Sequence, residues 1–335
     1  MKILVTGGAG FIGSNFIRQT LANQPDVRIT NYDKLTYAGN LESLKDVADD
    51  PRYSFVRGDI NDAELLEEVL PGHDAVVNFA AESHVDRSIT ASRDFIEANV
   101  QGANTIFNVA MRLEIPKFLH ISTDETYGSI PEPDSFKEGD ALEPNSPYSA
   151  SKASADLLAR AYRVTFGYPI TVTRTANNFG PYHFPEKVIP LFVSNLIDGR
   201  KVPLYGDGRN VRDWTYVLDN AAAQWLVLTE GTPGEIYNVG AGNEMSNKEL
   251  TYAILERFGY TGAQADEHIE FVADRPGHDL RYSVDTAKVR ELGWKPQHSF
   301  SEALDATIAW YRANEWWWRP LKEQGASERQ GLVGK

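Results

Sequence analysis

The sequence predicts an α/β fold in which a doubly wound parallel sheet carries a smaller C-terminal lobe. Short apolar segments alternate with longer helix-like segments through the first half of the chain, as expected for parallel strands joined by helices. Later segments are shorter and interrupted by Pro and Gly, which favours a small lobe folded from inserted pieces. We therefore expect a main domain at 1–178, a lobe at 179–320 that returns some segments to the main domain, and a tail at 321–335.

Each predicted element of the sheet follows from a local pattern. Runs of about four to eight apolar and β-branched residues indicate strands, and longer stretches with helical spacing of apolar residues indicate helices. The strands are predicted at 2–6, 27–33, 53–59, 74–81, 117–123 and 168–174. The helices between them are predicted at 11–22, 63–70, 94–112 and 148–166.

The composition is that of an ordinary globular protein and excludes several kinds of site. Apolar residues make up 42% of the 335 residues and charged residues 24%, so a sizeable core can form. The chain has no cysteine, which excludes disulfides, thiolate zinc sites and a cysteine nucleophile. The seven histidines show no zinc-like pairing, and we expect no bound metal.

The charge and the apolar pattern also limit the partners. The 33 basic and 47 acidic residues give a net charge of −14, which argues against a surface for nucleic acid or anionic membranes. No apolar run approaches the ~20 residues of a membrane span. The glycines that follow Thr6 leave no room for the apolar core of a signal peptide. We expect a cytoplasmic protein.

A glycine-rich loop lies between the first strand and the first helix. The segment Gly7–Gly13 reads GGAGFIG, and such glycines let the backbone approach a pyrophosphate at the helix N-terminus. About twenty residues later Asp33 ends the second strand, where a carboxylate accepts hydrogen bonds from an adenosine ribose. This favours NAD over NADP, although the neighbouring Lys34 leaves NADP open. Asp59 and Ile60 are placed either for an adenine edge or as a helix cap, and the whole pattern predicts a Rossmann domain that binds NAD.

Tyr148 and Lys152 stand four residues apart near the start of a predicted helix. Because about one helical turn separates them, both side chains lie on one face. A phenol is a poor base at neutral pH, but a nearby ammonium and a nicotinamide cation stabilise its phenolate. Tyr148 can then take a proton from a hydroxyl whose carbon gives hydride to NAD.

Two adjacent carboxylates follow the strand at 117–123. The run Thr123-Asp124-Glu125 falls at the carboxyl edge of the sheet, where such folds bind ligands. Neighbouring carboxyls tend to separate their pKa values, so that one stays protonated while the other ionises. The pair predicts a separate acid and base beside Tyr148; the alternative is a solvated pair in a loop.

With these motifs the chain resembles the extended short-chain dehydrogenases/reductases, which act on nucleotide sugars. The likeness is strongest to the dTDP-glucose 4,6-dehydratase family and runs from residue 1 to about residue 320. It rests on STDETYG (122–128) and on AAESHVDRSI (80–89), PNSPYSASK (144–152), NNFGPYHFPEKVIP (177–190), LYGDGRNVRDW (204–214) and ADRPGHDLRYSVD (273–285). The departures from the family pattern are Thr126, Thr175-Ala176, Phe179 and Leu218-Asp219-Asn220.

The resemblance implies dehydration of dTDP-glucose to dTDP-4-keto-6-deoxyglucose, for a deoxysugar such as rhamnose. It implies that Tyr148, with Lys152, removes the C4 hydroxyl proton while hydride passes to NAD. Glu125 then takes the C5 proton, Asp124 protonates the C6 hydroxyl that leaves as water, and hydride returns to C6. Thr123 hydrogen-bonds the C4 oxygen.

The resemblance also implies binding residues and a homodimer formed by the helices near 94–112 and 148–166. For NAD these residues are Gly7, Gly10, Phe11, Ile12, Gly13, Asp33, Lys34, Leu35, Thr36, Asp59, Ile60, Ala80, Ala81, Ser83, Asn99, Tyr148, Lys152 and Asn178. For the sugar nucleotide they are His84, Thr123, Asn177, Lys187, Val188, Pro203, Leu204, Tyr205, Arg212, Asn247, Arg275 and His278. The basic side chains among them pair with the diphosphate. Tyr205 walls the pyrimidine unless it packs in the core.

Several alternatives stay open at this point. A nucleotide-sugar 4-epimerase has no need of the two carboxylates, a UDP-glucuronate decarboxylase has no need of an acid at C6, and an NAD-sensing regulatory protein has no need of Tyr148 with Lys152. A UDP-glucose 4,6-dehydratase is the nearest alternative, since either pyrimidine can stack on Tyr205. The run Trp316-Trp317-Trp318 is interpreted as packing of the last helix.

Overall fold

The computed structural model describes the backbone of residues 1–333 and the side chains of residues 1–324. The strands are β1 (Lys2–Thr6), β2 (Arg28–Asp33), β3 (Tyr53–Arg57), β4 (Ala75–Asn78), β5 (Lys117–Thr123), β6 (Ile170–Thr175), β7 (Asn177–Phe179), β8 (Val202–Tyr205), β9 (Val211–Tyr216), β10 (Ile236–Val239), β11 (Glu244–Ser246) and β12 (Ile269–Val272). The α-helices are α1 (Phe11–Asn23), α2 (Ala63–Val69), α3 (Val85–Thr90), α4 (Ser92–Phe95), α5 (Ala103–Arg112), α6 (Pro147–Phe166), α7 (Val188–Ile197), α8 (Val217–Glu230), α9 (Asn247–Arg257), α10 (Ala263–Glu267), α11 (Ala287–Glu291), α12 (Phe300–Ala313) and α13 (Glu315–Val333). Among the described residues, no helix combines the length and the apolar character needed to cross a bilayer.

Seven parallel strands form the central sheet in the order β10-β6-β5-β4-β1-β2-β3. Alternate side chains of β1 point to opposite faces: Ile3 and Val5 pack in a core with α1 and α8, whereas Leu4 packs in a core with α2, α5 and α6. The predicted doubly wound fold is confirmed. Because the strand order reverses beside β1, a crevice for ligands is expected at the carboxyl ends of β1 and β4.

A smaller lobe is built from the second half of the chain. Its strands form a three-stranded sheet, β11-β9-β7, and a two-stranded sheet, β12-β8. Together with α7, α9 and α12 they bury a separate core that includes Trp317 and Trp318. In contrast, β10 pairs with β6 in the central sheet. The division at residue 178 stays a prediction.

Helix α6 begins and ends where its sequence contains strong capping signals. Ser146 and Ser149 exchange hydrogen bonds in a capping box, and Pro147 occupies the first turn, where its missing N–H costs nothing. Gly167 ends the helix in the left-handed region, at φ +72°, which favours glycine. The capping box and Pro147 fix the first two turns of α6, which carry Tyr148 and Lys152.

Two predicted segments differ from the structure. The helix predicted at 94–112 is divided into α4, a π-helical segment Ile96–Gly102 and α5, and such wider turns leave no clear mark in apolar spacing. Where a tail was predicted at 321–335, α13 continues to Val333. Residues 334 and 335, and the side chains from 325 onward, lie outside the described part of the chain.

Candidate active site

A cavity of about 490 Å³ opens at the carboxyl edge of the central sheet. Its walls come from the loop after β1 and from the ends of β2, β4, β5 and β6, and the first turns of α6 and the segment before α7 complete it. This is the crevice where the strand order reverses, the position at which doubly wound sheets bind their ligands.

The glycine loop brings backbone against backbone at the floor of this cavity. Gly7 has φ +65°, and a Cβ there would lie 2.6 Å from the backbone nitrogen of Ala80. A Cβ on Gly13 would lie 2.4 Å from the carbonyl oxygen of Gly7. Gly10 precedes α1 without a side-chain cap, so the first N–H groups of this helix can bind an anion. The loop therefore fits a pyrophosphate.

The acidic residue after β2 is held by the backbone around it. Asp33 accepts hydrogen bonds from the N–H of Ala9 at 2.9 Å and of Leu35 at 2.8 Å. The neighbouring Lys34 is engaged elsewhere, because its Nζ lies 2.6 Å from Oδ2 of Asp59. The Asp33 carboxylate would repel a 2′-phosphate at this point, and Lys34 is already paired with Asp59. The site thus fits NAD better than NADP.

All the predicted cofactor residues except Leu35 and Asn99 line the cavity. The side chain of Asn99 accepts from the backbone N–H of Glu82 at 2.8 Å and donates to its carbonyl at 2.9 Å. It also donates to the hydroxyl of Ser151 at 2.9 Å. Asn99 therefore supports the cavity wall from behind. The individual cofactor roles stay predictions.

The two carboxylates lie on a short 3-10 turn that follows β5. Thr123 ends the strand; its hydroxyl donates to Oδ1 of Asp124 at 3.2 Å and accepts from the N–H of Glu125 at 3.3 Å. All three residues line the cavity together with Tyr148 and Lys152. The structure therefore brings the five predicted catalytic residues into one place.

The environments of Asp124 and Glu125 differ in charge. Asp124 is 3% exposed, and burial together with the neighbouring Glu125 raises its pKa to about 8. Burial also raises the pKa of Glu125, but the cations Arg275, Arg212 and Lys187 oppose that shift. Asp124 is therefore the member of the pair that keeps its proton at neutral pH, and the three cations favour the ionised form of Glu125.

Burial of Asp124 makes the stability of the protein depend on pH. The pKa of this carboxyl rises from 3.8 to about 8 on folding, so the folded protein retains a proton that the unfolded chain has lost, and stability falls as the pH rises between these values. Asp124→Asn removes this contribution. We compare the melting temperature of the variant with that of the wild type at each pH. The difference, variant minus wild type, is expected to be larger at pH 8 than at pH 5 by about a few degrees. Thermal unfolding at both pH values checks this, and an equal gain at both would contradict it.

Tyr148 and Lys152 share one face of α6, but the lysine is engaged with the sheet. Its Nζ donates to the carbonyl of Ile121 at 2.6 Å, and burial lowers its pKa to about 8. Burial and the charge of Glu125 raise the pKa of Tyr148, whereas interaction with the Thr123 hydroxyl lowers it. Burial and Glu125, rather than Lys152, thus dominate the protonation of this phenol.

Of the predicted substrate residues outside the catalytic set, Asn177, Lys187 and Val188 line the cavity. Nζ of Lys187 donates to the carbonyl of Ser83 at 2.8 Å, and burial lowers its pKa. This contact places a positive charge at the wall shared by β4 and α7. The amide oxygen of Asn177 is buried and has no hydrogen-bond partner among the described residues, which leaves an acceptor for a ligand.

Arg212 is buried behind the carboxylates. Its guanidinium carbon lies 4.0 Å from the centre of the Tyr282 ring, and it donates to the carbonyls of Asp279 at 2.9 Å and Val211 at 2.6 Å. The hydroxyl of Tyr282 in turn donates to the Asp279 carboxylate at 2.8 Å. Arg212 therefore reaches the carboxylates by charge, while part of its N–H fork is used by the backbone.

Tyr205 and Arg275 both bind Asp86, and His278 packs beside Tyr205. Asp86 accepts from the Tyr205 hydroxyl at 3.2 Å through one oxygen and from the Arg275 guanidinium at 3.2 Å through the other. The ring of His278 is perpendicular to that of Tyr205, with centroids 6.4 Å apart, and its Nδ1 lies 2.6 Å from Asp274. This Asp86 cluster combines an aromatic face with a cation, as a nucleotide requires.

The remaining predicted substrate residues have other surroundings. Pro203 and Leu204 belong to β8, and Leu204 is buried in the core of the lobe. Asn247 begins α9. His84 caps α3, and its Nε2 lies 3.4 Å from a carboxylate oxygen of Glu186. Their roles in substrate binding stay predictions.

Several residues of the cavity wall were missed in the sequence. The ring of Phe11 stacks on His183 with centroids 4.0 Å apart, and the Arg87 guanidinium lies 4.0 Å from the centre of the Tyr37 ring. Two of these residues could have been found from their neighbours in the sequence, because Tyr37 follows the predicted Thr36 and Glu186 precedes the predicted Lys187. The missed residues that line the cavity include Tyr37, Glu82, His183, Phe184 and Glu186.

Known proteins resemble the chain over almost its full length. The family model described as GDP-mannose 4,6 dehydratase matches residues 4–307. A dTDP-glucose 4,6-dehydratase from Actinoplanes sp. is 51% identical over 324 residues, which cover 95% of this chain and 100% of the relative. A low-salt glycan biosynthesis protein from Haloferax volcanii is 50% identical over 315 residues, 94% of this chain and 100% of the relative.

A solved structure gives the same result. The crystal structure of DesIV, a dTDP-glucose 4,6-dehydratase from Streptomyces venezuelae with NAD bound, is 53% identical and has a TM-score of 0.92. The match covers 96% of this chain and 100% of DesIV. These identities confirm the resemblance seen in the sequence motifs. The chain, with its carboxyl pair beside Tyr148, belongs to the dTDP-glucose 4,6-dehydratase family.

Proposed function

We propose that this protein converts dTDP-glucose to dTDP-4-keto-6-deoxyglucose with NAD as its cofactor, for the synthesis of a deoxysugar such as rhamnose. The pair Asp124 and Glu125 beside Tyr148 carries the proposal, because an acid and a base are needed to eliminate water after oxidation. The relatives named as dTDP-glucose 4,6-dehydratases support the same reaction.

The residues of the site divide the reaction between them. NAD, held by the glycine loop and Asp33, would supply a hydride acceptor for C4, a hydride donor for C6 and, when oxidised, a positive charge that favours the phenolate of Tyr148. Tyr148 accepts the proton of the C4 hydroxyl, and the Thr123 hydroxyl hydrogen-bonds the same oxygen. The resulting C4 ketone acidifies the C5–H, whose proton Glu125 removes and gives back to C5 when hydride reaches C6. Asp124 gives its proton to the C6 hydroxyl, which leaves as water.

The nucleotide end of the substrate fits the Asp86 cluster. We assign the diphosphate to Lys187 and Arg275, since Arg pairs well with phosphate oxygens. Among the described residues, the Arg275 guanidinium bonds the half-exposed Asp86 through one nitrogen, and its Nε is buried without a hydrogen-bond partner. Tyr205, which is 39% exposed, offers its ring to the pyrimidine. Arg212 acts on Glu125 by charge.

Incubation with dTDP-glucose and NAD, followed by mass spectrometry, tests the proposal. We expect a product that has lost one water, and a higher kcat/KM for dTDP-glucose than for UDP-glucose. A product of unchanged mass would indicate an epimerase instead, and loss of carbon dioxide from UDP-glucuronate would indicate a decarboxylase. Equal kcat/KM values for the two glucose nucleotides would contradict the assignment to dTDP.

We also propose a homodimer formed by α6 and the helical segments before α5. Large apolar side chains are exposed there: Leu157 is 58% exposed, Val164 68%, Phe166 60% and Ile96 52%. Leu157 and Val164 are seven residues apart and so share one face of α6. Such a row of exposed apolar side chains on adjacent helices is typical of a protein interface. The cytoplasmic location stays a prediction.

Leu157→Asp is expected to separate this dimer into monomers, because a carboxylate would be buried in an apolar interface without a partner. Sedimentation velocity measures the dissociation constant of the dimer, which we expect to be at least about tenfold higher than in the wild type. Phe271→Asp is a matched control, since Phe271 is 63% exposed on β12 outside these helices. Wild-type dimerisation of the Leu157 variant would contradict the proposed interface.

A further inference from the structure

One helical turn after Lys152, helix α6 carries a second charged side chain that is buried. Asp156 is 3% exposed, and because it stands four residues after Lys152, both side chains lie on one face of α6. Asp156 belongs to neither the predicted catalytic residues nor the predicted binding residues. A buried carboxylate in this position favours the charged form of a neighbouring ammonium.

Lys152 and Asp156 dock on adjoining points of the central sheet. Nζ of Lys152 donates to the carbonyl of Ile121 on β5 at 2.6 Å. Oδ2 of Asp156 accepts from Nε of Arg174 on β6 at 2.8 Å. In the register of these strands Arg174 lies opposite Ser122, the residue that follows Ile121. Since paired strands are about 4.8 Å apart, the sheet holds the ammonium and the carboxylate beside each other.

The ion pair with Arg174 uses only part of the Asp156 carboxylate. Oδ1 of Asp156 is buried and has no hydrogen-bond partner among the described residues. The Arg174 guanidinium is shared with other groups, because it also donates to the carbonyl of Glu138 at 3.3 Å and lies 4.6 Å from the centre of the Tyr127 ring. Part of the negative charge of Asp156 is therefore left to act on Lys152.

Among the described residues, Asp156 is the charge that acts most strongly on Lys152. Burial lowers the pKa of Lys152 to about 8, and the charge of Asp156 opposes this shift. On β5, burial and the charge of Lys152 lower the pKa of His120, so that this ring is neutral. The other titratable groups at the cavity end of the elements packed against α6 are Tyr148 on α6 itself, Asp124 and Glu125 after β5, Asp86 and Arg87 on α3, Asp94 on α4, Glu97 on the π-helical segment and Arg174 on β6.

We propose that Asp156 supplies the negative charge that keeps the Lys152 ammonium charged and in place, and that Arg174 limits the strength of this effect. Asp156 is thus a positioning residue, which acts on the reaction through Lys152. The inference rests on the proposed function, because a charged Lys152 stabilises the phenolate of Tyr148 during oxidation at C4. Its direct consequence, the protonation of Lys152, is measurable without turnover.

Titration of Lys152 in the full-length protein tests the proposal. Lysine labelled with ¹³C at Cε reports the loss of the ammonium proton by NMR, and the resonance of Lys152 is the one that is absent from Lys152→Arg. We expect a midpoint near pH 8 in the wild type. Turnover alone does not identify this group, because Asp124 loses its proton in the same pH range.

Two substitutions break the same ion pair and are expected to move the midpoint in opposite directions. Asp156→Asn removes the negative charge and keeps the shape of the side chain, so the midpoint should fall by about one pH unit. Arg174→Gln removes the opposing cation, so the midpoint should rise by about half a pH unit. Loss of packing alone would move both variants in the same direction.

Further variants control for charge and for folding. Asp156→Glu keeps the charge on the same face of α6, and its midpoint should stay within about half a pH unit of the wild type. Asp305→Asn breaks an exposed ion pair with Arg257 on α12 in the lobe and should leave the midpoint unchanged. If Asp156→Asn does not fold because Arg174 is left unpaired, the direction of the shift in Arg174→Gln still decides the proposal.

The first step of the reaction should follow the charge of Lys152. At pH 8, a midpoint that falls from about 8 to about 7 reduces the charged fraction of Lys152 from about a half to about a tenth. In a single turnover with dTDP-glucose, NADH should therefore form about fivefold more slowly in Asp156→Asn than in the wild type.

Failure of the inference and failure of the proposed function give different results. An unchanged midpoint in folded Asp156→Asn, or a midpoint that falls in Arg174→Gln, would overturn the inference and leave the proposed function intact. If the midpoints move as expected but the wild type forms no NADH with dTDP-glucose, the action of Asp156 on Lys152 stands and the proposed function fails.

Discussion

Glu125→Gln is expected to retain oxidation at C4 and to lose the elimination of water. The substitution keeps the size of the side chain and removes its ability to take the C5 proton. Asp124 cannot replace it, because its own carboxyl is protonated up to a pH of about 8. Since a general base contributes about 10²–10⁴-fold to a proton transfer, we expect kcat to fall by a factor in this range.

Two measurements follow the Glu125 variant through the reaction. NADH absorbance should appear and persist, because the oxidised sugar cannot proceed, and exchange of the C5 hydrogen with deuterated solvent should be lost. Glu143→Gln, at an exposed position before α6, is the matched control and should exchange and turn over normally. Exchange at the wild-type rate in Glu125→Gln would show that another group is the base.

Tyr148→Phe is expected to stop the reaction before the first hydride transfer. Phenylalanine keeps the ring that packs against Phe95 with centroids 6.3 Å apart but lacks the oxygen that accepts the C4 proton. Because this removes a general base from the first step, we expect a loss of about 10²–10⁴-fold in kcat. In a single turnover, transient NADH absorbance should be absent.

The Tyr148 result needs a binding control and a matched variant. The Kd for NAD should change little, which would place the loss in the chemical step. Tyr162→Phe removes a phenol from the same helix, one whose hydroxyl bonds Asn104 at 3.0 Å far from the carboxylates, and should leave the NADH signal intact. Normal NADH formation in Tyr148→Phe would contradict the role assigned to the phenol.

The parts of this molecule that were predictable from sequence are those fixed by nearby residues. The limits of α6 follow from Ser146, Pro147 and Gly167, which act within one turn of each end. The position of Thr123 and its neighbours follows from the end of a strongly apolar strand. In both cases the signal and the structure it produces lie within a few residues of each other.

The parts that were not predictable depend on contacts between distant segments. The Asp86 cluster joins Asp86 to Tyr205 and Arg275, which lie more than a hundred residues away in the sequence. No local sequence pattern predicts contacts between residues so far apart. The pKa of Asp124 depends on how completely the lobe covers it. Leu204 packs in the core of the lobe, a burial that its local sequence does not indicate, and its predicted role in substrate binding stays a prediction.

The strand β10 has a consequence for how this enzyme can be altered. Its residues come between two stretches of the lobe, yet they complete the edge of the central sheet beside β6. A chain cut at residue 178 would leave β6 with an open edge, which invites pairing with other molecules. It would also lose Asn238, whose amide oxygen holds the hydroxyl of Tyr127 at 2.8 Å on the turn that carries the carboxylates. The lobe is therefore not an exchangeable module, and a new sugar specificity has to be introduced side chain by side chain within the intact chain.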